Sequence, residues 1–526
     1  MKKQANRAVL IALRDRVTAL HRRPYGRYLL SFLCGATASL ALPPTGLLPA
    51  ALFFCVPVIF AVNEARPLTG AILFAAAGFG WFTASLYWIG HALFIKGGAQ
   101  LLLLPFACLG LPLLLSLFWA MAGYLAFRPV ISPVPKLVLL AGFWGAAEWL
   151  RSVIFTGFPW NVTGHIFAEN LLTAQMAAFT GQHGLNLLAA MLIIAASAVY
   201  LRAIKAALFL SLPLILLLVL GGFRLAEAPP LPDRPIEQAG LIRLIQPNIA
   251  QAQKWDRAHK PDHIKSMTAL AARPERPAAL TILPEAAIAG FWRDDEGLVR
   301  ALANAITPEN GVLLTGILSS DRENNFYNSA YFVHHSGRLL GQYHKQHLVP
   351  FGEYIPFRQL PFIDAIAGQG EFSKGGAVED IYIEPFGYIR VLICYEIIFP
   401  AFIARDTRRP DMLITLSNDA WFGNTSGPHQ HFYQSRLRAI EEGLAVYRLA
   451  NTGVSGGFDG FGRLLGKTGL GKKAVIDLPH IGALAPPFYA ENRIAALLFL
   501  FAWLGFLAIF LELFSKRRNK SQIKMR

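Results

Sequence analysis

From about residue 28 to 223 the chain is almost continuously apolar, and stretches such as LLLLPFACLGLPLLLSLFWAMAGYLAF (101–127) are long enough to cross a bilayer. Inside hydrocarbon every backbone N–H and C=O must find its partner within the protein, so such a region folds as membrane-spanning helices. Seven spans are expected, at roughly 28–43, 47–63, 69–92, 99–127, 137–152, 179–201 and 205–223, with an eighth at roughly 493–514. The composition agrees: 54% of the 526 residues are hydrophobic and only 16% charged, which is too apolar for an ordinary soluble enzyme.

A net charge of +16 raises the possibility of a nucleic-acid partner, but the location of the charge argues against one. Residues 1–27 hold eight basic side chains and one acid, Asp15, and KRRNKSQIKMR at 516–526 holds six basics. Each cluster adjoins an apolar span, as cytoplasmic anchors do. With the first residues inside, the inward loops carry Arg66, Arg128, Lys136, Arg202 and Lys205, and the outward loops only Lys96 and Arg151. This is the positive-inside pattern. Seven spans then place 224–492 outside the cytoplasm, and the eighth returns the basic tail, 515–526, to the inside. No cleavable signal peptide is expected, because the first span follows a long basic segment.

Residues 224–492 are written differently. Charges return, and apolar runs shorten to strand length at LIRLIQPNI, ALTILPEA, GVLLTGIL, YIRVLICYE and DMLITLSN. Helix-like segments such as HIKSMTALAA and QHFYQSRLRAIEEG lie between them, so the region reads as an α/β domain. Its only cysteine is Cys394, since Cys34, Cys55 and Cys108 all fall in expected spans. A lone thiol in an oxidising compartment is a liability unless it is sheltered or used.

Chemistry in α/β layers gathers where strands end. Three such ends stand out: Glu285 in ILPEAAI, Lys345 in YHKQHLVPFGEY, and Cys394 in VLICYE. Each also has an ordinary reading, as a helix-start acid, a solvated lysine and a buried apolar thiol, and Glu353 in PFGEY reads equally as a turn acid. The pairs His344/His347 and His429/His431 are weak metal signals without a third ligand or an H-E-x-x-H helix, so no metal and no other cofactor is expected. The set is more informative than its members. A cysteine is only a few per cent thiolate near neutrality. A buried glutamate of raised pKa can activate it, and a fixed lysine with a backbone N–H can stabilise the tetrahedral oxyanion. Together these residues make a mechanism for acyl transfer.

The order LPE, HKQHLVPFGE, ICYE and SNDAWFG, over roughly 240–470, resembles the nitrilase or carbon-nitrogen hydrolase superfamily. That resemblance implies a four-layer α-β-β-α sandwich with Glu285 as general base, Lys345 as oxyanion stabiliser, Cys394 as nucleophile and Glu353 as supporting acid. The membrane spans, TGFPWN at 156–161, KWD around Trp255 and SNDAWFGNTSGPHQHFYQSRLRA are similar to the bacterial apolipoprotein N-acyltransferases. This implies supporting roles for Tyr395, whose amide is a candidate oxyanion donor, for Glu396, and for Trp255, which would help close the site over lipid. It also implies a ping-pong reaction: a phospholipid acyl donor loads Cys394, and the α-amino group of a diacylglyceryl-cysteine at a lipoprotein N-terminus takes the chain. LPFIDAIAG (360–368) and GFW (290–292) are candidate lid segments or core. The rival functions are a membrane-tethered amidase acting on a small amide and a transporter with a degenerate external domain.

Overall fold

The computed structural model describes residues 25–62, 64, 66–232, 240–272, 277–356, 371–377, 379–400 and 408–524. Helical segments fall on all eight expected spans. They are α1 (Gly26–Ala38), a 3₁₀ segment Leu48–Phe54 running into α2 (Cys55–Val62), α3 (Pro67–Leu86), α4 (Leu111–Phe127), α5 (Pro133–Arg151), α6 (Ala177–Tyr200), α7 (Ile204–Ala226) and the last helix, Ala495–Lys524. Among the described residues, five stretches are long and apolar enough to cross a membrane: Pro67–Lys96, Gln100–Phe127, Ala177–Tyr200, Ile204–Ala226 and Ala495–Arg517. The other three are short, as α1 and Leu48–Val62 are, or, like α5, carry Lys136, Glu148 and Arg151.

Arg151, expected as an outward loop charge, is instead buried. Its Nη2 lies 2.8 Å from Glu148 Oε2, one helical turn back, and its Nη1 donates to the carbonyls of Phe158 and Trp160 at 2.6 and 3.1 Å. Trp119 Nε1 and Thr163 Oγ1 donate to Glu148 Oε1 at 2.8 and 2.9 Å. Pairing with Glu148 and hydrogen bonds to two carbonyls are what permit this charge in an apolar bundle, and here they brace the 156–161 loop.

Beyond the membrane helices come β1 (Leu241–Gln246), α8 (Lys260–Ala271), β2 (Leu280–Ile282), β3 (Ile288–Phe291), α9 (Trp292–Ile306), β4 (Val312–Ser320), β5 (Phe326–His334) and β6 (Leu339–His344). They are followed by β7 (Ile381–Ile383), β8 (Gly387–Ile393), β9 (Met412–Ser417), α10 (Gly427–Glu442), β10 (Ala445–Ala450), β11 (Gly456–Phe458), β12 (Leu464–Lys467) and β13 (Ala474–Pro479). One sheet has the order β13-β1-β2-β4-β5-β6 with β3 on β4, and the other β12-β11-β10-β9-β8-β7. The strands at the middle of each sheet, β1-β2-β4 and β8-β9-β10, run parallel and are buried on both faces, which explains their unbroken apolar sequences.

Ile242, Leu280, Leu314 and Phe332 of the first sheet share a core with Ile389, Val391, Ile414 and Leu449 of the second. Met267 of α8 and Val299, Leu302 and Ile306 of α9 cover the outer face of the first sheet. The second sheet is covered by Phe432, Leu437 and Ile440 of α10, which join the membrane-helix core on their other side. The architecture is the expected α-β-β-α sandwich, with its fourth layer seated on the membrane bundle.

Because α10 has neighbours on both sides, its polar residues are buried as well. Arg438 Nη2 donates to Gln182 Oε1 at 3.1 Å and to Glu441 Oε1 at 2.9 Å. Gln182 sits just after a break in α6, where Gly181 has φ 62° and a Cβ would meet the Tyr489 ring at 2.2 Å. The break frees the Gln182 N–H, which donates to Glu441 Oε1 at 2.6 Å. Trp88 Nε1, Trp160 Nε1 and Asn161 Nδ2 each lie 3.1 Å from Gln430 Oε1, a second polar knot at the same junction.

Candidate active site

The parallel strand β8 delivers Cys394 at its end, where the backbone turns sharply into the 3₁₀ segment Cys394–Ile398. Cys394 has φ 53°, in the left-handed region that non-glycine residues avoid. The turn is held by Glu396. Its Oε2 accepts from Ile393 N at 2.6 Å, and its Oε1 from Gln346 N, His347 N and Tyr343 Oη at 2.7, 3.0 and 2.8 Å. One buried carboxylate thus ties the Cys394 turn to the segment that follows Lys345. Tyr395 Oη donates to Gly157 O at 3.1 Å, which fastens the same turn to the membrane loop 156–161.

Glu285 follows β2, in a tight turn that rests on Gly316 of β4. A Cβ there would come within 2.4 Å of Ala286 N and 2.6 Å of Pro284 O, so glycine is what the close approach needs. Asn328 Nδ2 on β5 donates to Glu285 Oε1 at 2.7 Å and to Glu353 Oε1 at 3.1 Å. Lys345, at the end of β6, is 1% exposed; its Nζ donates to Glu353 Oε1 at 2.9 Å. Glu353 is itself fixed by Val349 N at 2.8 Å to Oε2. The second oxygen of Glu285, Oε2, is buried and has no hydrogen-bond partner among the described residues.

The charges are mutually coupled. Burial raises the Glu285 carboxyl, against the pull of Lys345. Burial alone would lower Lys345, yet Glu353, Glu285 and Cys394 together hold it above the ordinary lysine range. Burial, reinforced by the Glu285 charge, pushes the Cys394 thiol up to about 12. The resting nucleophile is therefore a thiol, which needs a base, and Glu285 is the buried carboxyl coupled to it.

The geometry brings together Glu285, Lys345, Glu353, Cys394, Tyr395 and Glu396. Trp255 is 47% exposed. Its neighbour Lys254, which the sequence reading passed over within KWD, is 1% exposed and donates Nζ to Glu285 O at 2.9 Å. Burial lowers it to about 8, against the opposing charges of Glu285 and Cys394. Asn328 was also missed, because an asparagine in a strand carries no local signature. The 360–368 segment lies outside the described residues, and in GFW Trp292 stacks flat on Tyr331, with ring centroids 4.0 Å apart. Of the histidines, His344 Nδ1 bonds Ser329 Oγ at 2.7 Å, the His347 ring lies against Phe399 with centroids 4.1 Å apart, and His431 lies behind Cys394. Ligand-type atoms of Cys394, Asp419 and His431 fall within 4.8 Å of one another. Arg448 Nη2 already sits 2.7 Å from Asp419 Oδ2 and 3.0 Å from His431 Nδ1, so a guanidinium occupies the place a cation would need.

Residues 34–196 match the family described as "Apolipoprotein N-acyltransferase N-terminal domain", and residues 241–477 match "Carbon-nitrogen hydrolase". A protein of Rhodopseudomonas palustris named "Apolipoprotein N-acyltransferase" is 35% identical, over 88% of this chain and 91% of that one. The chain belongs to the apolipoprotein N-acyltransferase family. A Brucella melitensis relative of the same name is 34% identical over 94% of this chain and 97% of its own, and one from Allorhizobium ampelinum is 36% identical over 88% and 91%. Among solved structures, an amidase from Nesterenkonia sp. is similar at 19% identity and a TM-score of 0.37, covering 51% of this chain and 98% of that one. The two family matches meet at the junction where α10 packs on α6.

Proposed function

We propose that this protein transfers an acyl chain from a phospholipid, through a thioester on Cys394, to the α-amino group of the N-terminal diacylglyceryl-cysteine of a lipoprotein. The unpartnered Oε2 of Glu285, buried in the same charge cluster as Cys394, carries the mechanistic part of this reading. Glu285 takes the thiol proton as Cys394 Sγ attacks the ester carbonyl. The oxyanion is met by the Lys345 ammonium and the Tyr395 N–H, and the proton passes to the departing lysophospholipid oxygen. In the second half-reaction Glu285 removes a proton from the attacking amine, the C–S bond breaks, and the amide forms as the thiol is regenerated. Glu353 and Asn328 hold Lys345 and Glu285 in register. The direct fastening of Tyr395 to a membrane loop favours bilayer-bound substrates over a small soluble amide.

The orientation follows from charge: residues 224–492 on the periplasmic side of the inner membrane, both basic ends in the cytoplasm, and an even number of spans. A reporter active only in the periplasm, fused near residue 350, should score positive. The chemistry is tested with a phospholipid bearing a tagged acyl chain. The native enzyme should take up the tag as a hydroxylamine-sensitive adduct on Cys394 and release it to a diacylglyceryl lipopeptide. A Cys394→Ala protein that still loads the tag would end this reading.

A further inference from the structure

Behind the nucleophile lies a buried polar network that this mechanism does not use. His431, on α10, is completely buried, and its Nε2 lies 3.1 Å from the carbonyl oxygen of Cys394. A carbonyl can only accept, so Nε2 carries the hydrogen. On the other side of the ring, Nδ1 lies 3.0 Å from both Asp419 Oδ1 and Arg448 Nη2. Asp419 is clamped in turn by Arg448 Nη2 on Oδ2 at 2.7 Å and by Ser417 Oγ on Oδ1 at 2.7 Å. Burial together with the neighbouring Arg448 charge lowers His431, against the pull of Asp419; Nδ1 is held between the Asp419 carboxylate and the Arg448 guanidinium, and Nε2–H is the donor to the Cys394 carbonyl.

The partner of Nε2–H is part of the peptide unit that joins Cys394 to Tyr395. That unit is planar and trans, so its C=O and N–H point in opposite directions. Holding the Cys394 carbonyl towards α10 aims the Tyr395 N–H the other way, to the side from which the substrate arrives. As one of the first N–H groups of a 3₁₀ turn, it has no carbonyl one turn back to bond. Left to itself, a residue at φ 53° gains by relaxing towards ordinary backbone, which would rotate this plane.

We infer that His431, oriented by Asp419 and Arg448, is a positioning residue for the oxyanion site: its hydrogen bond to the Cys394 carbonyl keeps the Tyr395 N–H aimed at the developing negative charge. The inference rests on the proposed roles of Cys394 and the Tyr395 amide, and it goes beyond them by naming what fixes that amide.

The test uses the full-length protein in detergent and the pair His431→Gln and His431→Asn. A glutamine amide reaches the position of Nε2 and can still donate to the carbonyl, whereas asparagine reaches only the position of Nδ1. His431→Asn should slow both loading from the tagged phospholipid and discharge to lipopeptide by about a hundredfold, the scale of one lost oxyanion donor. His431→Gln should recover most of that loss. Alkylation of Cys394 by iodoacetamide, read at that peptide by mass spectrometry, develops no oxyanion and should stay within about threefold of native in both. Native loading by His431→Asn, equal losses in the two variants, or alkylation falling in step with loading would each overturn the inference. Cys394→Ala, run alongside, separates the outcomes: if it loads no tag while His431→Asn loads normally, only the role of His431 is lost.

Discussion

Glu285→Gln tests the mechanism at its first chemical step. The substitution preserves shape: Oε1 keeps the 2.7 Å hydrogen bond from Asn328 Nδ2, and an NH₂ replaces the unpartnered Oε2. The group that would receive the thiol proton becomes a donor. With the thiol held near 12, direct ionisation at pH 7.5 supplies thiolate at roughly 3 × 10⁻⁵ of the enzyme, against about a tenth for an ordinary cysteine. Losing the Glu285 charge removes one cause of that elevation but leaves the larger one, burial. Loading should therefore fall by about 10²–10⁴-fold, equivalent to about 3–5 kcal/mol of activation free energy. The pH dependence should also change form. In the native enzyme Glu285 must be ionised, so loading is present above its raised pKa and is lost as pH falls through it, at a higher pH than an ordinary glutamate would give. In Glu285→Gln hydroxide has to do the work, and the rate should climb about tenfold per unit between about pH 6 and 9. Stopped-time assays of tagged acyl-enzyme across that range supply both readings. Native loading by the variant, or a flat profile in it, would refute the assignment of Glu285 as base.

Lys345→Met should slow loading and discharge together by about a hundredfold or more. Because Lys345 is the main influence that lowers Glu285, it should also move the acid limb of residual activity to higher pH. Lys254→Met should move that limb in the same direction but by less, since Lys254 acts on Glu285 more weakly; an unmoved limb in either variant would contradict the coupling described above. Glu396→Ala leaves three backbone N–H donors and Tyr343 Oη without their acceptor, at about 1–3 kcal/mol for each one that stays buried and unpaired, so the purified protein should lose its cooperative thermal transition or show it many degrees lower. Glu396→Gln, which keeps Oε1 for three donors but turns an NH₂ towards Ile393 N–H, should fall between native and alanine; equal melting of all three would show the carboxylate to be dispensable.

The strands that carry the candidate site could be read from sequence because parallel strands buried on both faces are spelled as uninterrupted apolar runs, and each run ends at a polar residue: LPE, VLICYE, ITLSND. Spans were readable for the same reason. What stayed hidden depends on contacts between distant segments. Asn328 matters only because β5 lies beside the Glu285 turn, and Lys254 only because a surface turn folds its ammonium inward. His431 shared its sequence neighbourhood with His429 and suggested nothing beyond a weak metal signal, since its partners Arg448, Asp419 and Cys394 come together only when α10 packs over β8 to β10. Arg151 misled for a related reason. At the end of an apolar run it reads as a loop charge, whereas Glu148 one turn earlier and the folded 156–161 loop bury it.

The placement of α10 between the second sheet and the membrane helices also has a consequence for how the protein is made. The first seven membrane helices leave the ribosome before the rest, and some of their buried polar groups have no partner until much later: the Gln182 N–H waits for Glu441, 259 positions on, and the Trp160 indole N–H for Gln430, 270 positions on. Until then a group such as the Gln182 N–H sits in or beside hydrocarbon unpaired, where it costs several kcal/mol. The nascent bundle is thus a strained, incomplete object that only translation through α10 can relieve. Chains arrested before residue 427 should be recognised by membrane proteases, and co-expression of the missing half as a separate polypeptide should protect them.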